Sequence, residues 1–203
     1  KDEMEAKRGM GKQGRLMCGY GAAGPKFKTT AAAGLYGPPV TISLEDANEF
    51  VRLYREDNPS ICAKNSGYWA QAGRMLARLG GGAPCEWGPL TVRDKRLYLP
   101  DGQPLIFDTL EYYKPPLEER HLYGPYAQDG HWRVKTRYGW KEMWGSKLVQ
   151  NVCEAVSRVI VSQAMNRITR MGYRVLNWPY DELLVLIPND GRAQEHAERC
   201  KAE

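Results

Sequence analysis

The pattern that most constrains this chain is the stretch from Ser146 to Met171. It carries neither glycine nor proline and stops at Gly172. Val149, Val152, Val156, Val159 and Ile160 fall along one side of a 3.6-residue repeat, and Gln150, Glu154 and Arg158 run down another at intervals of four. The spacing predicts a single long helix, a rod of about 39 Å at 1.5 Å per residue. The other elements must be short. Tyr173 to Asn177 and Leu183 to Ile187 read as two strands joined through Trp178-Pro179-Tyr180-Asp181-Glu182, and a polar helix follows from about Asp190.

Upstream, Ser43 is a good helix N-cap with Asp46 three residues on. The helix it opens places Leu44, Ala47, Val51 and Tyr54 at core spacing and ends before Pro59. Ser66 to Leu79 reads as a further helix stopped by Gly80-Gly81-Gly82. Leu90-Thr91-Val92 is strand-like, and Arg96 to Leu99 and Pro104 to Phe107 flank Pro100-Asp101-Gly102 as a hairpin. Lys1 to Leu16 reads as a helix rich in Lys, Arg, Met and Glu, weakened by three glycines. Gly19 to Pro39 is rich in Gly, Ala and Pro and cannot be helix throughout, and Lys114 to Gly130 has no period and reads as loop. Strands in one part and helices in others, without alternation, indicate an α+β fold. The expected division is a helical segment over 1–82, a strand hairpin with a basic and aromatic loop region over 83–145, and the long helix, strand pair and last helix over 146–203.

Composition removes several function classes. Hydrophobic residues make up 42% of the 203, enough for a packed core. No apolar run approaches the ~20 residues that span a bilayer, and the charged opening Lys1-Asp2-Glu3-Met4-Glu5 is unlike a secretory leader. Cys18, Cys62, Cys85, Cys153 and Cys200 are scattered and lack C-x-x-C spacing, which argues against a zinc site and for a reducing cytoplasm. His121, His131 and His196 show no metal-ligand spacing. The absence of an initiator Met suggests that the chain begins inside a longer protein.

The formal charge of +5 is unevenly distributed. Lys1 to Lys28 holds seven basic and three acidic residues. Trp132 to Lys147 interleaves Arg133, Lys135, Arg137, Lys141 and Lys147 with Trp132, Tyr138, Trp140 and Trp144. Cations attract phosphate and flat rings stack on bases, although a solvated loop with half-buried tryptophans has the same composition. Arg8, Lys12, Leu16 and Tyr20 are each four apart and share a face if the helix extends that far. Two cations one turn apart can clamp a triphosphate and neutralise charge on a departing pyrophosphate. An aromatic further along can pack on a base, and Gly21 lets backbone come close. An ordinary solvated face has the same pattern. Asp181-Glu182 offers hard oxygens suited to magnesium, or is simply an acidic turn. On a straight strand the two carboxylates would point to opposite faces.

Arg8-x3-Lys12-x7-Tyr20-Gly21 resembles the fingers-helix motif of family A DNA polymerases, and Gly11-Lys12, Leu16 and Gly19-Tyr20-Gly21 look most like the phage-encoded branch. Asp181-Glu182 between apolar strands is similar to the family's last catalytic motif, usually His-Asp-Glu. Lys147 to Ile168 resembles the palm helix that follows the minor groove of primer-template DNA. The resemblance implies that Arg8 and Lys12 hold the phosphates of an incoming dNTP, with Lys12 as general acid toward pyrophosphate. Leu16 would lie beside the sugar, and Tyr20 and Gly21 by the templating base. Asp181 would ligate Mg2+ and Glu182 would support the primer end. Gln150, Asn151, Glu154, Arg158 and Tyr180 would lie along the DNA.

Three departures from the family pattern matter. Tyr180 stands where the family usually has His. Glu154 replaces a Gln, with Arg158 one turn on as its expected partner. The family's D-x-S-x-x-E segment belongs ahead of the fingers helix, and Asp108-Thr109-Leu110-Glu111 lacks the Ser and lies elsewhere. The expectation is therefore a C-terminal fingers-and-palm portion, either a fragment or one subunit of a split enzyme. It would be inactive alone, and its two-Mg2+ site would be completed by an Asp outside this chain. Its partners would be primer-template DNA, dNTP and the remainder of the polymerase, in a host cytoplasm if phage-encoded. Two other classes stay open. One is a non-catalytic DNA-binding or scaffolding remnant. The other is a different nucleotide-dependent phosphoryl-transfer enzyme, for which no P-loop is present.

Overall fold

The computed structural model describes residues 2–124, 127–179 and 181–201. The fold is α+β, with helices and, among the described residues, three separate antiparallel sheets. The chain forms two compact units, Lys1–Asn151 and Val152–Glu203.

The first unit opens with α1 (Asp2–Cys18), α2 (Gly24–Ala32) and α3 (Leu44–Asp57). Met17, Cys18, Phe27, Ala31, Ala47 and Val51 form their common core, with Phe50 and Tyr54 packed against it. The Phe27 and Phe50 rings lie 4.9 Å apart. The glycines that weaken α1 as an isolated helix have a packing use. A Cβ at position 14 would overlap the Phe50 ring, so Gly14 allows α1 to approach α3. The expected cap is present. Ser43 Oγ accepts the Asp46 amide at 3.0 Å and donates to its carboxylate at 2.7 Å. The helix α2 lies within the Gly/Ala/Pro-rich segment. Pro25 falls in its first turn, where a missing N–H costs nothing.

A short α4 (Pro59–Cys62) leads to α5 (Tyr68–Gly81), which continues past the expected stop to a left-handed Gly82. Next comes a meander of β1 (Cys85–Trp87), β2 (Leu90–Arg93), β3 (Arg96–Tyr98) and β4 (Pro104–Ile106). In β2, buried Leu90 and Val92 alternate with exposed Thr91 and Arg93, and α5 lies against this strand. Between β2 and β3, Asp94 and Lys95 have φ of 52° and 58°, the two-residue turn that matches strand twist.

The basic and aromatic region is a sheet rather than a loop: β5 (Glu111–Tyr113), β6 (His131–Thr136) and β7 (Gly139–Met143). Between β5 and β6, the segment expected as loop contains a 3-10 helix, Leu117–Leu122. The register pairs Arg133 with both Glu111 and Glu142. The Arg133 guanidinium lies 3.6 Å from the Tyr113 ring centroid and 4.2 Å from that of Trp140, and Nε donates to Glu111 at 2.7 Å. A cation held between two rings takes the place of an apolar stripe on this face.

The long helix α6 (Gly145–Arg170) crosses from the first unit into the second. Leu148, Val149 and Val152 are buried, whereas Ile160, expected on the apolar side, is 59% exposed, since no described residue covers it. The second unit continues with β8 (Arg174–Asn177), β9 (Leu184–Leu186) and α7 (Ala193–Lys201). Val175 pairs with Val185, and the ladder is irregular between Val175 and Asn177.

A polar cluster fastens α7 within this unit. Tyr173 Oη lies 2.7 Å from His196 Nδ1, and His196 Nε2 lies 3.2 Å from Asp190 Oδ2. An ionised carboxylate only accepts, so Nε2 carries the proton and Nδ1 accepts from the Tyr173 hydroxyl. The Arg192 side chain and amide, followed by His196, hold the Asp190 carboxyl down at about 2. A lowered carboxylate contributes stability above its unfolded value and loses it as pH falls through the folded one. The Asp190 carbon resonance is therefore expected to titrate with a midpoint at about 2, and the stability difference between wild type and Asp190→Asn to shrink from pH 5 to pH 2. A midpoint at the ordinary 3.8 would contradict the cluster.

Candidate functional site

The helix α1 sorts its residues by face. Gln13, Gly14, Met17 and Cys18 are buried, while Arg8, Lys12 and Leu16 are exposed and follow one another up the outer side. The helix ends at Cys18, so Tyr20 is not on its last turn. Tyr20 instead sits in the closing turn, where its amide donates to Met17 O at 3.2 Å and the Gly21 amide to Cys18 O at 3.0 Å. Its side chain is 37% exposed and that of Leu16 42%. The two cations and Leu16 thus form a stripe on the outer side of α1, and Tyr20 is exposed in the turn that follows it.

Three contacts hold the backbone under this stripe. The buried Gln13 side chain donates from Nε2 to Pro38 O at 2.9 Å. The Trp69 indole donates to Gly19 O at 3.2 Å. Gly21 has φ of 86°, and a Cβ there would overlap Ser146 Oγ and lie 3.8 Å from Trp144 Nε1. The Tyr20 end of the stripe therefore adjoins the start of α6. None of these partners was legible as a motif, because each is distant in sequence.

On α6, Lys147 Nζ donates to Gln150 Oε1 at 3.0 Å. Gln150 and Asn151 are half-buried, and Glu154 and Arg158 are exposed one turn apart. Gln150 and Asn151 belong to the first unit, and Glu154 and Arg158 to the second.

Asp181 and Glu182 lie in the connection between β8 and β9, and both are exposed. The Glu182 amide donates to Pro179 O at 3.0 Å. This is turn rather than strand, so strict alternation does not separate the two carboxylates. Tyr180 lies outside the described residues. No third His, Cys, Asp or Glu joins the pair among the described residues. Two adjacent carboxylates are too few for a two-ion magnesium centre, so this donor set does not fit one by itself.

Other chemistries have weaker support. All five cysteines are free thiols, and burial pushes the Cys18 thiol up to about 11, which makes it a poor nucleophile. No helix among the described residues is long and apolar enough to cross a membrane. Comparison with protein-family models, with curated proteins and with solved structures returned no match.

Proposed function

We propose that this chain is the fingers-and-palm portion of a template-directed DNA polymerase of the family A type, transferring nucleotidyl groups from dNTPs to a primer 3′-hydroxyl. The observation that carries the reading is the stripe on α1. Its two cations and Leu16 are on the outer side of the helix, exposed Tyr20 follows in the closing turn, and the backbone beneath is held by hydrogen bonds from Gln13 and Trp69. Arg8 and Lys12 bind the triphosphate. Leu16 lies beside the sugar, and Tyr20 and Gly21 beside the templating base. As the primer hydroxyl bonds to the α-phosphate and the bond to pyrophosphate breaks, negative charge moves to the leaving group. Lys12 is then the cation and proton donor nearest that charge.

Asp181 is the proposed ligand of Mg2+, together with an aspartate supplied from outside this chain, and Glu182 supports the primer end. Gln150, Asn151, Glu154 and Arg158 follow the primer-template duplex, as does Tyr180. The remainder of the polymerase is the partner that completes the enzyme.

Binding of a fluorescent dNTP, read by polarisation, tests the stripe without requiring turnover. Each charge-assisted contact to phosphate is worth about 1.5–3 kcal/mol. Arg8→Ala and Lys12→Ala are therefore each expected to weaken binding about 10- to 100-fold. Lys7→Ala, on the same helix, is expected to have little effect. Equal binding by wild type and all three variants would remove the reading. Primer extension by the isolated chain would contradict the need for an outside aspartate.

A further inference from the structure

We propose that the β6–β7 hairpin binds single-stranded nucleic acid, with Arg137 and Lys141 on phosphates and Tyr138 and Trp140 stacking on bases. The hairpin lies outside the segments that carry the polymerase resemblance, and its binding does not depend on that reading. Arg137, Tyr138, Trp140, Lys141, Trp144 and Lys147 border one open groove, with Glu142 as its acidic member. Tyr138 is 74% exposed, Trp144 47% and Trp140 42%. Exposed rings beside cations offer stacking surface next to positive charge, the combination that binds a single strand.

The groove is built on a fixed plate. Arg133 lies against both Tyr113 and Trp140 and is bonded to Glu111, so Trp140 is held before any ligand arrives. Because Arg133 is already engaged by an acid, the groove's attraction for phosphate falls to Arg137, Lys141 and Lys147. Lys147 also donates to Gln150, which leaves Arg137 and Lys141 as the main phosphate contacts. The Arg137 guanidinium lies 4.6 Å from the Tyr138 ring centroid, so charge and stacking surface are adjacent at the turn. A duplex keeps its base faces stacked inside and offers nothing to these rings. An unpaired strand offers a face at every base. Trp144, at the border of the groove, also has its Nε1 close to Gly21 in the turn after α1.

The test is binding of a fluorescein-labelled oligothymidylate to the full chain, with no nucleotide present, at low and at physiological salt. The wild type is expected to bind it more tightly than the matching blunt duplex, with quenching of tryptophan fluorescence. Arg137→Ala combined with Lys141→Ala is expected to make the log–log salt dependence shallower by about 1.4, from two phosphates at about 0.7 each. Tyr138→Ala is expected to weaken binding about fivefold or more with the salt slope unchanged, and Tyr138→Phe to retain it. Tighter binding to duplex, equal binding by these variants, or equal competition by polyglutamate, which would mark a docking site for acidic protein, would overturn the proposal. Absence of tryptophan quenching in the unmodified protein would do so without any variant.

Discussion

Asp181→Asn is expected to remove primer extension by the completed polymerase, about a thousandfold or more, while leaving this chain folded. The substitution keeps the shape of an exposed turn residue and deletes one negative charge. A metal-stabilised transition state is worth several kcal/mol, and each 1.36 kcal/mol is tenfold in rate. Glu182→Gln is expected to cost less, because a group that supports the primer end acts through positioning rather than metal charge. The measurement is a single-turnover extension assay on the assembled enzyme, paired with a thermal melt of the variant. Retained extension would sink the assignment of Asp181 and favour the non-catalytic DNA-binding remnant.

Phe27→Ala is expected to act on the fold. Phe27 is fully buried among α1, α2 and α3, with its ring against Phe50. Truncating a buried Phe to Ala costs about 3–5 kcal/mol, as lost transfer energy plus a cavity. Total stability for a domain is about 5–15 kcal/mol, so this is a large share. Urea denaturation would show it as a lower midpoint. A loss below about 1 kcal/mol would mean that Phe27 does not hold the three helices together. Because α1 rests on this core, dNTP binding is expected to weaken in parallel, although Phe27 lies inside and the stripe outside.

The elements that could be read from sequence are those specified by local chemistry. Ser43 and Asp46 mark the start of α3, Pro59 its end, and Asp101-Gly102 the turn before β4. The repeat of α6 and the apolar runs of β8 and β9 were equally plain. The β5–β6–β7 sheet was not, because its strands carry Arg, Lys and Trp instead of an apolar alternation. What replaces that alternation is the placement of Arg133 between Tyr113 and Trp140, a contact across strands that no short window contains. The four-residue spacing that relates Arg8, Lys12 and Leu16 is a helical property and was legible for that reason. The turn that takes Tyr20 off the helix leaves Gly21 with no room for a Cβ against Ser146, whose position only the folded chain sets.

Gly14 and Gly21 are seven residues apart, and each marks a place where backbone meets a side chain from another helix. Gly14 seats α1 on α3, and Gly21 seats the turn that follows α1 against the start of α6. The consequence is preorganisation. A ligand reaching Arg8 and Lys12 meets a helix whose axis is already set, so the ordering left to do is in the two long side chains, about 2 kcal/mol of rotamer entropy each at most. A phosphate clamp on a free loop would carry the cost of fixing its backbone as well, about 1–2 kcal/mol for every residue. The charges of Arg8 and Lys12 supply the attraction, and the close packing at Gly14 lowers the ordering cost that would otherwise offset it.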